Sequence, residues 1–152
     1  MQNRGHAFST APNGLNPANL VAPGKRPFHT IIPAFLTRDG QPVMSYGVMG
    51  ANMQPQGHMQ TLVRMLDYGQ NPQAACDAPR WRFNSGVEIN AEASMRADTV
   101  QALKERGHKV DVINDSYQDF GSGQFIWRAG DPKAEGYVIA SDSRRDGLAA
   151  GF

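Results

Sequence analysis

The sequence predicts an α+β protein, a largely antiparallel or mixed sheet with helices packed on it. Two observations carry that expectation. Strand-like pairs alternate with helix-like pairs along the chain, and turn signals at Arg38-Asp39-Gly40 and Gly130-Asp131-Pro132 fold strand-like runs into hairpins. At 152 residues the chain fits one domain, expected over 1–152 with an extended, irregular lead-in over 1–27.

That lead-in is punctuated by Pro12, Asn13, Gly14, Asn16, Pro17, Asn19, Pro23 and Gly24, which interrupt any regular period. A structureless stretch of this length serves a site or packs against something else. The pattern then changes. Thr30 to Leu36 is β-rich, and Pro42 to Val48 reads as its hairpin partner. Pro33 cannot donate to a ladder, so the first strand belongs at an edge or carries a bulge. Gly47 to Gly57 is rich in small residues and reads as a turn leading into a helix. Met59, Leu62, Val63 and Leu66 follow at helical spacing as one apolar stripe, stopped by Gly69. Asn71-Pro72 has the order of an N-cap followed by proline at the first helical position, and this short helix ends before Pro79.

Arg80 to Asn84 and Val87 to Ala91 read as strands. Asp98 to Arg106 reads as a helix with charges matched to its dipole and Gly107 as terminator. Lys109 to Asn114 is a further strand, and Gln124–Arg128 with Tyr137–Ser141 forms the last hairpin.

A formal net charge of +1 with scattered Arg and Lys argues against nucleic acid or a membrane surface as partner. No apolar run approaches the roughly 20 residues that span a bilayer. The single cysteine, Cys76, follows Ala74-Ala75 and reads as a small buried filler. The four histidines, His6, His29, His58 and His108, lack ligand-like spacing, so no metal and no cofactor is expected. P-loop, dinucleotide-binding, zinc-protease and serine-hydrolase signatures are all missing. Trp81 with Phe83 and Tyr117 with Phe120 read as core packing, and Asp142, Arg144 and Asp146 as a local ion-pair clasp in a polar tail.

Four segments in series give the sequence a resemblance. Pro23-Gly24-Lys25-Arg26-Pro27, running through His29-Thr30 to Pro33, is similar to the PGxRPxSSMxP stretch of the γ-glutamyltransferase small subunit. Gly50-Ala51, Gln54-Pro55-Gln56-Gly57-His58 and Leu66-Asp67-Tyr68-Gly69 resemble that family's glycine pair and the helix after it. Asn71-Pro72 through Asp77-Ala78-Pro79-Arg80 resembles its next helix and strand entry. Ser141-Asp142, Arg144, Asp146-Gly147 and Ala149-Ala150-Gly151-Phe152 resemble its C-terminus.

The resemblance implies part of the αββα sandwich of N-terminal-nucleophile hydrolases. It also implies a threonine, freed by self-cleavage, that attacks a γ-glutamyl-type amide using its own α-amino group as base. Thr10, Thr30, Thr37, Thr61 and Thr99 do not match the context of that nucleophile. The resemblance aligns Met1 to Arg4 a few tens of residues downstream of it, and Met1 reads as a start imposed on a longer frame. The chain alone is then expected to be inactive, its partner being a large subunit or upstream region.

By the same resemblance, Gly50 and Ala51 supply oxyanion-hole N–H groups, with Ala51 departing from the glycine pair. His29 and Thr30 stand at two substrate-binding serines, and only Thr30 keeps a hydroxyl. Asn3 and Arg4 stand in the substrate-recognition segment. Ala7-Phe8 stands where the family has an Asp that grips the substrate's amino group, and Ala7 cannot make that ion pair. These departures point to a divergent branch, an acylase or amidase whose substrate need not be γ-glutamyl, with Arg4 available to a substrate carboxylate. The contrasting expectation is a non-catalytic remnant used for binding or assembly. Because a fragment supplies only some strands of the sandwich, an uncovered apolar sheet face or strand edge, and hence self-association of the chain alone, is expected.

Overall fold

The computed structural model describes residues 4–12 and 17–151, the side chain of Gln118 excepted. Asn13, Gly14 and Asn16 of the lead-in and Phe152 of the C-terminal motif lie outside the described residues. The chain divides into two compact units, Met1–Ile31 and Ile32–Phe152.

In the first unit, short 3-10 turns at Gly5–Ala7 and Pro17–Asn19 take the place of longer elements. A single parallel bridge joins Ser9 to Leu20. Buried Asn19 donates Nδ2 to the carbonyl of Ala7 at 2.5 Å, and Lys25 donates Nζ to the carbonyls of Ala18 and Leu20. Backbone carbonyls exposed by the prolines are thus satisfied by side chains, as an irregular segment requires.

The second unit is α+β, as expected. Strands β1 (Ala34–Arg38), β2 (Gln41–Met49), β6 (Ser122–Arg128) and β7 (Tyr137–Ser141) form an antiparallel sheet in the order β1-β2-β6-β7. Asp39 and Gly40 have φ of 52° and 74°, the left-handed pair that a tight hairpin turn between β1 and β2 demands. The first strand begins at Ala34 and not at Thr30. Pro33 therefore stands before the strand, which does lie at the sheet edge, and the irregularity between Leu36 and Thr37 falls opposite Pro42.

A second sheet has the order β3-β4-β5, from Trp81–Ser85, Glu88–Glu92 and Lys109–Ile113. β3 pairs antiparallel with β4, and β4 pairs parallel with β5 through the helix α3 (Ala97–Glu105). A four-residue helix α4, Ser116–Asp119, precedes β6.

Helices α1 (Gln54–Leu66) and α2 (Pro72–Asp77) cover one face of the antiparallel sheet. The N-cap at Asn71 is observed, its Oδ1 accepting the N–H of Ala74 at 2.8 Å. The core between these layers comprises Met44, Tyr46, Val48, Met65, Ala75, Cys76, Phe125 and Ala140. Tyr46 and Phe125 stack at 5.9 Å across neighbouring strands. The register of α1 corrects the sequence reading. Its buried face is Gly57, Gln60, Thr61 and Met65; of the expected stripe Leu62 packs against the core and Val63 is half-buried, while Met59 and Leu66 are exposed. Gly57 decides this, because a Cβ there would stand 2.6 Å from Val48 Cγ1. The helix therefore turns its smallest residue to the strand.

The opposite face of the antiparallel sheet is open. Phe35 lies opposite Ser45, Ser45 opposite Ile126 and Ile126 opposite Ile139, a row across all four strands. Phe35 is 63% exposed and Ile126 48%, and Met49 and Tyr137 on the same face are also exposed.

Candidate functional site

Strand β2 runs through Gly47 to Met49, so the small-residue turn is confined to Gly50 and the 3-10 segment Ala51–Met53 that continues into α1. Gly50 has φ 139° and ψ 34°. Only glycine adopts that conformation freely. Space demands it too, since a Cβ on Gly50 would stand 2.8 Å from Gly121 Cα. Ala51 follows with φ 50°, in the left-handed region, at a cost of about 1–2 kcal/mol for a residue with a Cβ.

The turn closes when the Met53 N–H donates to the Gly50 carbonyl at 2.9 Å. Among the described residues, no hydrogen bond takes the N–H of Gly50 or of Ala51. Ala51 is exposed and Gly50 half-buried, so both donors lie at an accessible helix entry, where the peptide dipoles favour negative charge. Two consecutive free donors in a strained turn are chemically suited to hold an anionic oxygen.

Behind this turn lies a feature that the sequence reading placed in a polar tail. Asp142 and Arg144 are not exposed. Arg80 and Asp142 are wholly inside, paired from Nη2 to Oδ2 at 2.7 Å. Arg144 donates from Nη1 to Asp142 Oδ1 at 3.0 Å and grips Glu92 with Nε at 2.6 Å and Nη2 at 2.5 Å. Two cations and two anions therefore balance within one buried cluster, and Cys76 and Ala78 offer carbonyls to the same guanidinium groups. The Asp142–Arg144 clasp is real, but its partners come from residues 80 and 92.

Burial pushes the Asp142 carboxyl upward. The Arg80 charge, the N–H groups of Gly123 and Arg144 and the Arg144 charge outweigh it, leaving a value below the ordinary one. For Arg144 burial pulls downward, yet the bond to Glu92 and the charge of Asp142 hold its guanidinium above the usual value. Cys76 is a buried filler as expected, its thiol pushed up to about 12 by burial and then by the Asp142 charge. It is no nucleophile.

The aromatic residues divide. Phe120 is buried, whereas Phe83 and Tyr117 are exposed, and Arg145 lies 3.4 Å above the Tyr117 ring. Core packing therefore describes Phe120 and not its neighbour.

In the first unit, Arg4 donates Nη1 to Thr30 Oγ1 at 2.8 Å, which brings two of the substrate-binding candidates together across 26 residues. His29 is exposed, and Asn3 lies outside the described residues. Among the described residues no group of His, Cys, Asp and Glu could hold a metal ion, and no helix is long and apolar enough to cross a membrane.

Glu92 and Gly121 were missed by the sequence reading. Arg80 and Asp142 each fell inside a recognised motif, but each motif carries both signs of charge, so the sequence held no signal that pairs them.

The chain is 37% identical over 158 residues to the glutathione hydrolase-like YwrD proenzyme of Bacillus subtilis, covering 100% of this chain and 29% of that protein. It is 35% identical over 156 residues to the oxamate amidohydrolase proenzyme of Klebsiella pneumoniae, covering 99% and 28% respectively. Among solved structures, a cephalosporin acylase from Bacillus halodurans superposes with TM-score 0.80 at 49% identity, over 100% of this chain and 27% of that one. A gamma-glutamyltranspeptidase from Pseudomonas nitroreducens complexed with L-DON shares the fold, with TM-score 0.74 at 24% identity over 100% of this chain and 81% of that one. The chain thus spans less than a third of the length of the two curated relatives. The family model for gamma-glutamyltranspeptidase matches residues 1–152, and with relatives of this identity along the whole sequence, the chain belongs to the gamma-glutamyltranspeptidase family.

Proposed function

We propose that residues 1–152 form the C-terminal part of the small subunit of an N-terminal-nucleophile amidohydrolase, whose attacking threonine lies upstream. The observation that carries this reading is the Gly50–Ala51 turn, strained, accessible and with two uncommitted N–H donors. Attack of a threonine Oγ on an amide carbonyl carbon forms a C–O bond and moves the carbonyl electron pair onto oxygen. The hydroxyl proton passes to the threonine's own α-amino group. The N–H groups of Gly50 and Ala51 hold the oxygen, each worth about 2.7–4 kcal/mol in a site of this type. Collapse expels the amine, which takes up the proton, and water or an amine acceptor then releases the acyl group.

The substrate is an acyl amide that need not be γ-glutamyl. Ala7 has no charge to pair with a glutamyl amino group. Among the relatives, a cephalosporin acylase and an oxamate amidohydrolase accompany the glutathione hydrolases, so amide cleavage and not the glutamyl group is their shared chemistry. Arg4, held by Thr30 through one nitrogen, keeps further donors for a substrate carboxylate.

The test compares the 152-residue chain with a longer polypeptide carrying the upstream region, on a γ-glutamyl anilide and on other acyl amides. Activity only in the longer polypeptide, favouring other acyl groups, is the expected result. Activity in the short chain overturns the placement of the nucleophile, and equal rates on the γ-glutamyl anilide overturn the substrate reading. Inactivity of both favours a non-catalytic remnant.

A further inference from the structure

The buried ion cluster reaches the Gly50–Ala51 turn through backbone alone. Arg80 Nη1 donates to the Phe120 carbonyl at 2.9 Å, and Asp142 Oδ2 accepts the N–H of Gly123 at 2.7 Å. One ion pair therefore pins both ends of the four-residue segment 120–123. Its middle is pressed against the turn. Gly121 has φ 71°, and a Cβ there would run into the carbonyl oxygen of Met49, the residue before Gly50. From the other side, a Cβ on Gly50 would meet Gly121 Cα. The two strand ends are paired, Val48 with Gly123 and Met49 with Ser122, with no room for a side chain between them, so a displacement of 120–123 towards the turn displaces 49–51.

We propose that Arg80 and Asp142 are positioning residues for the reaction, fixing the Gly50 and Ala51 N–H groups through the segment 120–123. This rests on the reading of Gly50–Ala51 as the turn that holds the oxyanion. Donors stabilise a developing charge only when already aimed at it, and a misplacement near 1 Å costs on the order of 100-fold in rate. The pair touches no substrate. Arg144 and Glu92 form a second buried pair beside it, joined to it where Arg144 meets Asp142, so both Asp142 oxygens are satisfied inside the cluster. Arg80 keeps Nε buried without a partner among the described residues, so the guanidinium is oriented by its two Nη groups, the ones that reach Phe120 and Asp142.

The test uses the full-length enzyme carrying this chain, with Asp142→Asn and Arg80→Lys. Both variants keep approximate size, and Arg80→Lys keeps the charge but cannot reach two acceptors in a fixed fork. With active sites counted by the acyl-enzyme burst, and below each variant's unfolding transition, kcat is expected to fall roughly 10- to 100-fold while KM changes less than about threefold. A purely structural pair would lower the unfolding temperature and leave kcat per active site within about twofold, which overturns the proposal.

Hydrogen exchange on the wild-type chain supplies a second readout that needs neither folded variants nor turnover. Segments 48–53 and 120–124 are expected to open as one unit. Independent opening overturns the positioning role even if neither variant folds. An inactive wild type with coupled opening sinks the oxyanion reading instead.

Discussion

Arg80 and Asp142 meet at 2.7 Å with neither side chain reaching solvent, although 62 residues separate them in sequence. A charge pair so placed is held by its surroundings as much as by itself. Asp142 also accepts from Gly123 and Arg144, and Arg80 also donates to Phe120 and Cys76. Breaking one partner leaves the other charge buried, so Asp142→Ala is expected to cost about 3–5 kcal/mol in urea unfolding. Replacing both partners with apolar residues of similar volume should cost less than Asp142→Ala alone.

Acid should dissolve that contribution. Asp142 has a lower pKa in the fold than in the unfolded chain, so its stabilisation is present above the ordinary carboxylate value, roughly pH 3.9, and is lost as pH falls through the folded value. The stability difference between wild type and Asp142→Asn, followed by urea midpoints, is expected to hold from pH 7 to about pH 4 and to shrink below that.

Cys76 gives the opposite sign. Its thiol is pushed up to about 12 in the fold, so the folded chain keeps a proton that the unfolded chain releases above about pH 8.5. Stability attributable to this group should fall between pH 8.5 and pH 10 in wild type but not in Cys76→Ala. Modification by a thiol reagent at neutral pH should proceed only as fast as the chain unfolds.

The turn makes two contrasting predictions. Ala51→Gly relieves a left-handed alanine and should stabilise the chain by about 0.5–1 kcal/mol while leaving an N–H donor in place. Gly50→Ala meets Gly121 Cα and should reduce acyl-amide turnover of the full-length enzyme by at least about 100-fold. Equal turnover in Gly50→Ala and wild type would remove the turn from the mechanism.

The open sheet face should drive association of the isolated chain. Phe35→Lys with Ile126→Lys, on one face of the sheet and flanking Ser45 of β2, is expected to shift light scattering at tens of micromolar from oligomer towards monomer. A monomeric wild type would contradict this directly.

Much of the fold was legible because it is local. Asp39-Gly40 fixed one hairpin, Asn71-Pro72 capped α2, and Gly107, at φ 92°, ended α3. Each is a backbone requirement met by residues adjacent in sequence. Gly50–Ala51 was marked by its place in a recognisable motif, whereas residue pattern alone spread the turn over Gly47 to Gly57. The register of α1 was not. Periodicity marked Met59 and Leu66, but the contact of Gly57 with Val48 turned the helix towards Gln60, Thr61 and Met65.

The sequence by itself determined the α+β class, the turns and the caps, because propensity, capping and positive φ act over a few residues, while the candidate oxyanion turn was marked by the family resemblance. Only the tertiary structure decided that Asp142 and Arg144 leave the tail to meet Arg80 and Glu92. It also decided that Gly121 lies against Gly50. Charge pairing and close packing depend on distance in space, and nothing in the order of residues says which distant charges will share a dry interior.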